Sequence, residues 1–271
     1  MNNLLKINFL LIFCLLAFSS CKKERIFDNI AKSNVDVLDR GSILQILEEL
    51  GQRDFTADLF LKSTQTALGR ADRSYELQIF ADTDSDFFVN SKEVNIGSSI
   101  FSNFSSSGFL RERGGHLESL FYGSPQQLRF VENDGAVLLE KDFHIPEPLD
   151  ILLDATDFLE INGHPILNRN SSTITWNADP ENEIGVLIVV QYNPISNPST
   201  RDQYPNQLVE FIHVPDNGSY SFSSGDVSSL PSSEINVKLR IVRGNYAIEE
   251  NGEEEYLFTT LTQVKGFAVL Q

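Results

Sequence analysis

The chain has 271 residues, a formal charge of −17 from 38 acids against 21 Lys and Arg, and two cysteines, both before residue 22. So acidic a surface repels phosphate backbones and argues against nucleic acid as a partner. Cys21 is the last thiol. If it is modified, the folded part has no disulfide, cysteine nucleophile or zinc-thiolate site, and its roughly 250 residues make one large or two ordinary domains held by packing alone.

In chain order, residues 1–20 read as an export signal, with Lys6 as the one charge, an apolar run from Phe9 to Phe18, and Ser19 and Ser20 before Cys21. That run falls short of the roughly twenty apolar residues a membrane-spanning helix needs. The stretch "LLAFSSC" resembles the lipobox of bacterial lipoproteins. The resemblance implies cleavage before Cys21, lipid on its sulfur, and anchorage to a membrane without spanning it, because several acyl chains hold far more firmly than one. Lys22 lacks the acidic inner-membrane retention signal, which favours the outer membrane and leaves its periplasmic and surface faces both open. Residues 21–55 then form a tether containing one short helix, "SILQILEELG", with Ser42 as N-cap and Gly51 as stop.

From Thr56 the apolar period changes to two. Strand-like runs recur at about ten-residue spacing: "TADLFLKS", "SYELQIFA", "DFFVNSKEVNI", "HLESLFYG", "QQLRFVEN" and "AVLLEKDF". "ENDG" marks a β-hairpin over Gln127–Phe143. Such regular short strands predict a β-sandwich over residues 56–150. The two prolines of "HIPEPLDI" place a domain boundary within residues 144–156.

A second sandwich is expected over 156–271, from "DFLEING", "STITWN", "GVLIVVQYN", "LVEFIHV", "GSYSFSS", "INVKLRIVRG" and "YLFTTLTQVKGFAVL", the last read as one strand or two. In "INVKLRIVRG", Ile235, Val237, Leu239 and Ile241 should face inward and Asn236, Lys238 and Arg240 water, while the nearly all-apolar "GVLIVVQY" suits a strand inside a sheet. The segments "STITWNADPENEIGVLIVVQYN" and "GSYSFSSGDVSSLPSSEINVKLRIVRGN" resemble a fibronectin type III-like sandwich covering about residues 158–270. That resemblance implies a structural, core-packed Trp176. With the lipobox, the whole chain resembles Bacteroidetes-type lipoproteins carrying two tandem immunoglobulin/fibronectin type III-like domains, which implies an all-β fold and no particular chemistry.

Few motifs carry chemistry. In "DTDSDFFVNSKE", Asp82, Asp84, Asp86, Asn90 and Glu93 have the spacing of oxygen ligands in a calcium loop, but Phe87 stands where that loop needs glycine. The segment therefore reads as a looser calcium site or as a polar turn. "EENGEEE" at 249–255 reads as a hairpin tip with its charges in water. His116 and His164 look like loop residues and His213 lies on a strand face; the spacing of the four histidines forms no local metal cluster. No Gly-x-Ser-x-Gly elbow or phosphate-cradling glycine loop occurs. "SSIFSNFSSSGF" is too irregular for a strand and puts Phe101, Phe104 and Phe109 on a loop, while Tyr192 and Tyr204 border a long polar one. Such rings either plug sandwich ends or, as Tyr204, Phe101 and Phe104 could, meet a partner protein or sugar. The expectation is a membrane-anchored, non-enzymatic binding or assembly module. The alternatives are a glycan-binding accessory subunit of an outer-membrane uptake system and a structural part of a surface adhesin or fibre.

Overall fold

A computed structural model describes Phe55, residues 57–66, Leu68, residues 72–81, 91–102, 109–132, 134–152, 160–161 and 164–271. The signal with Cys21, the tether and its helix, Asp82, Asp84, Asp86, Asn90 and Phe104 lie outside the described residues.

Within these the chain is all-β with one short helix. In order come β1 (Ala57–Gln65), β2 (Arg73–Ala81), β3 (Ser91–Ile96), β4 (Ser99–Phe101), β5 (Phe109–Arg113), α1 (His116–Phe121), β6 (Ser124–Glu132), β7 (Val137–Ile145) and β8 (Ile151–Leu152). They continue with β9 (Glu160–Ile161), β10 (His164–Leu167), β11 (Thr173–Trp176), β12 (Val186–Tyr192), β13 (Leu208–Val214), β14 (Ser219–Ser221), β15 (Ile235–Asn251) and β16 (Glu254–Leu270). A nine-stranded sheet runs β13-β12-β15-β16-β1-β2-β5, with β10 and β9 continuing beside β16; a four-stranded sheet runs β4-β3-β6-β7 and a three-stranded one β14-β11-β8.

The large sheet backs two cores. The first packs Leu59, Leu61, Leu77 and Ile79 against Phe130, Phe143 and Ile145 of the four-stranded sheet. The second packs Ile188, Val190, Leu239 and Ile241 against Ile174, Trp176 and Phe222 beside the three-stranded sheet. What joins them is the hairpin β15–β16, paired without interruption from Ile235↔Leu270 to Asn251↔Glu254. Each of its strands has 17 residues, about 55 Å at the usual rise and well beyond ordinary strand length. Its base serves the second core through Val264, Ala268 and Leu270, and its outer half serves the first through Tyr256 and Phe258. β1 runs parallel to β16 from Ala57↔Tyr256 to Gln65↔Val264, and β10 continues along the same edge at Ile166↔Val269.

Most local expectations hold. β6 and β7 pair antiparallel around a turn in which Gly135 has φ 89° and Asp134 accepts a hydrogen bond from Ala136 N at 2.9 Å. β12 lies inside the sheet between β13 and β15, as its apolar run requires. The tip of "EENGEEE" turns at Gly252, with φ 68°.

Three readings are corrected. "HLESLFYG" is not a strand: Leu117 and Phe121, four residues apart, form the buried side of helix α1, a pairing that helical but not extended geometry places on one face. His116 is consequently the first residue of that helix, and His164 opens β10. Ser99–Phe101 forms strand β4, held against β3. Of the two readings left open for the last segment, one unbroken strand is found, because cross-strand pairs continue through Gly266↔Leu239.

Gly185, at the entry to β12, has φ +84° and a Cβ there would stand 2.5 Å from Val214 O. Both the left-handed backbone and the backbone oxygen resist a side chain. Gly185→Ala is expected to cost about 1–3 kcal/mol, read as a lower urea midpoint; an unchanged midpoint would contradict this account of the turn.

Candidate functional site

The densest polar network lies where the chain passes from one core to the other. Arg243 sits two residues beyond Ile241 in the inward-facing series of β15 and is fully buried, with 0% of its side chain exposed. Its Nε donates to Asp216 Oδ2 at 2.6 Å and its Nη2 to Asp216 Oδ1 at 2.8 Å. The remaining guanidinium donors reach Glu147 O at 3.1 Å and Asn177 O. Asp216 also accepts from Trp176 Nε1 at 2.9 Å and from Asn182 Nδ2 at 2.8 Å. A buried carboxylate is tolerated only with this degree of hydrogen bonding.

A second layer fixes the linking segment itself. Asp179 accepts from Glu147 N at 3.0 Å and stands 3.1 Å by both oxygens from His144 Nε2. Asn177 Nδ2 donates to Pro148 O at 3.0 Å, Thr262 Oγ1 accepts from Leu149 N at 3.1 Å, and Asn245 Nδ2 donates to His144 O at 2.9 Å. Arg73 Nη2 adds bonds to Leu149 O at 2.8 Å and Asp150 Oδ1 at 2.5 Å. The two prolines thus mark a segment whose backbone groups are tied to β11, β15, β16 and the start of β2. Every charge here is committed to the fold.

The residues singled out in the sequence go elsewhere. Trp176 is buried in the second core, 3% exposed. Phe101 rests on the first core with its ring 6.0 Å from that of Phe121. Tyr204 rests on the second, 6.4 Å from the ring of Tyr192, whose hydroxyl donates to Tyr204 O at 3.3 Å. Glu93 is exposed on β3, opposite Val131. His213 is exposed and its Nε2 lies 2.6 Å from Ile184 O. Among the described residues no three His, Cys, Asp or Glu side chains are arranged to hold a metal.

A recess of about 310 Å³ opens beside Arg73, Tyr75, Glu76, Arg113 and Gly114. Burial, and then a hydrogen bond with Glu118, raises the pKa of the Tyr75 hydroxyl. Burial does the same to Tyr122, whose hydroxyl has no hydrogen-bond partner among the described residues. Both phenols therefore stay protonated. Arg73 is held as above, and Arg113 and Arg111 are both paired with Glu76.

The back of the nine-stranded sheet, facing away from both cores, is different. Its register places Arg240 directly opposite Lys265 and Lys238 directly opposite Phe267, with Gln191 beside Lys238 and Val189 beside Arg240. Leu187, Val242 and Leu261, in the middle rows of the same face, are buried. The end rows are open: Lys238, Arg240, Lys265 and Gln191 are half-exposed and Phe267 is 54% exposed. Lys62, on β1 in the row of Leu261, adds a fourth cation further along the same face. Among the described residues, none of these four cations makes an ion pair. Burial and then Lys265 lower the pKa of Lys62, with smaller contributions from Arg240 and Arg111, while Glu76 opposite it acts to raise it; burial, Arg240 and Lys265 lower that of Lys238, and burial alone that of Arg240. Sequence reasoning saw Lys238 and Arg240 as water-facing. It could not see Lys62 and Lys265 joining them, because only the pairing of β1, β15 and β16 does that.

No family model and no curated protein matches the chain. Among solved structures, one from a study of host-cell surface retention of a 1.5-MDa bacterial ice-binding adhesin aligns at 8% identity and a TM-score of 0.16. The alignment covers 78% of this chain and 65% of that one. A likeness of that degree carries no argument about fold or role.

Proposed function

We propose that the chain is a lipoprotein anchored at the outer membrane through Cys21, and that its β-structure acts outside the cytosol as a non-catalytic binding or assembly module. One observation carries the reading: charged side chains brought together inside the fold are consumed by internal bonds, whereas Lys238, Arg240 and Lys265 on the end rows of the sheet are, among the described residues, left for something else to meet. Further support comes from "LLAFSSC" and from the absence of cysteine after position 21, which leaves that thiol free for lipid. We also read the two halves as immunoglobulin/fibronectin type III-like sandwiches that share a hairpin. In the second half, three strands β14-β11-β8 and four strands β13-β12-β15-β16 enclose one core around Trp176, the arrangement that fibronectin-like domains would use.

The anchor is tested by mass spectrometry of the mature amino terminus and by Cys21→Ser. Wild-type protein is expected in the membrane fraction with acyl chains on the first residue, and the variant is expected unprocessed and without acyl chains. An unmodified wild-type terminus would end the proposal.

A further inference from the structure

The end rows on the back of the nine-stranded sheet concentrate positive charge on a chain whose net charge is −17. Arg240 and Lys265 are direct cross-strand neighbours, and Lys238 lies two residues from Arg240 on the same face. Like charges placed opposite one another on a sheet repel and cost stability. Among the described residues only Glu76, directly opposite Lys62, offsets that cost, and its carboxylate is shared with Arg111, Arg113 and Gln78 Nε2, leaving Arg240, Lys265 and Lys238 without an ion pair. An anion arriving at this face would remove a repulsion that the free protein carries.

The same rows also hold an aromatic ring. Phe267 stands directly opposite Lys238 and is 54% exposed, with its ring 5.7 Å from that of His164. An apolar ring left open beside cations suits a ligand that is flat and apolar on one side and charged at its rim. Gln191, next to Lys238 across β12 and β15, adds an amide that can both donate and accept.

From this juxtaposition we propose that Lys62, Gln191, Lys238, Arg240, Lys265 and Phe267 form a binding face for an acidic polysaccharide, a sugar ring lying on Phe267 and its carboxylate or sulfate groups on the cations. The inference rests on the reading of the chain as a binding module and names its ligand class. Sugars offer the C–H face that stacks on an aromatic ring. Uronate or sulfated sugars carry their charges in a regular row, which three cations on the two end rows, with Lys62 further along the same face, can match. Nucleic acid is disfavoured because its denser phosphates would meet the acidic remainder of the surface. A phospholipid surface is disfavoured because these cations are half-buried in the sheet face, whereas a flat bilayer engages chains that protrude.

The test uses the full-length protein extracted from cells in detergent. It is titrated calorimetrically with polygalacturonate, with heparin and with neutral dextran, at low and at physiological salt. Saturable binding is expected for an acidic polymer and not for dextran, and it should weaken as salt screens the charges. Lys238→Gln combined with Arg240→Gln is expected to weaken binding about tenfold, a 1.4 kcal/mol step, and to flatten the salt dependence. Phe267→Ser is expected to weaken it about fivefold at both salt levels, leaving the salt dependence as it was. Melting temperatures should not fall, since none of these side chains supports either core, and Lys238→Gln with Arg240→Gln should melt slightly higher because it removes the like-charge repulsion. The proposal is overturned if wild-type protein binds neither acidic polymer, if the variants bind as wild type does, or if phosphatidylglycerol vesicles bind and the polymers do not. An acylated terminus in a protein that ignores both polymers would overturn the ligand while leaving the anchored module standing.

Discussion

Replacing Arg243 by methionine is expected to destabilise the folded chain by about 3–5 kcal/mol, the usual cost of leaving one partner of a buried ion pair without the other. The substitution keeps much of the volume, so the loss is chiefly electrostatic. Asp216, still holding Trp176 Nε1 and Asn182 Nδ2, would keep a negative charge in a site that no longer has a cation. At about 2–4 °C per kcal/mol for a unit of this size, the melting temperature should fall by roughly 6–20 °C. Asp216→Asn keeps an acceptor for the tryptophan and removes the charge. The double variant should therefore be more stable than Arg243→Met alone, with a coupling of about 1–3 kcal/mol. Equilibrium unfolding in urea reads all three values. A single variant losing under about 1 kcal/mol, or strictly additive losses, would show that the network adds little to the joint between the cores.

The strands were legible because alternation and turn residues are local. Ile235, Val237, Leu239 and Ile241 announce their own face, and Asp134 with Gly135 announces the turn between β6 and β7. α1 was missed because six residues hold only one i, i+4 apolar pair, Leu117 and Phe121, too little for a helical period to outweigh a strand-like run. Arg243 left a trace: it continues the inward series of β15 at the next alternate position, and a charge at an inward position implies a buried counterpart. Which carboxylate answers it was not readable, because Asp216 lies in "VPDNG", a sequence that says turn and nothing about the guanidinium. The cation face escaped for a related reason. Lys62 and Lys265 are some 200 residues apart in sequence and share a sheet face only because β1 pairs with β16 in parallel, a register that no local pattern encodes.

The shared hairpin leads to the second large effect. Phe258 is fully buried in the first core, its ring stacked 5.4 Å from that of Phe130 and tilted 6.3 Å from that of Phe143, yet it belongs to the strand whose other end lines the second core. Phe258→Ala opens a cavity and is expected to cost about 3–5 kcal/mol. If β15 and β16 transmit that loss along their length, both cores must melt together. Trp176 is the only tryptophan in the chain and sits in the second core, so its fluorescence reports on the core that the substitution does not touch. The expected result is one transition, with fluorescence and far-ultraviolet circular dichroism shifting to the same lower midpoint. Two transitions, with the tryptophan signal unmoved, would mean that the halves unfold as independent domains and that the continuous hairpin does not couple them. The physical ground for expecting one lies in the backbone pairing: β1 stays paired only while Tyr256 to Val264 remain extended, and those residues stay extended only while Ile241 to Glu249 hold them from the other side. Losing the first core strips one edge from β16 along the stretch that also presents Thr262 to the linking segment through Leu149 N, so the second core loses a wall when the first one goes.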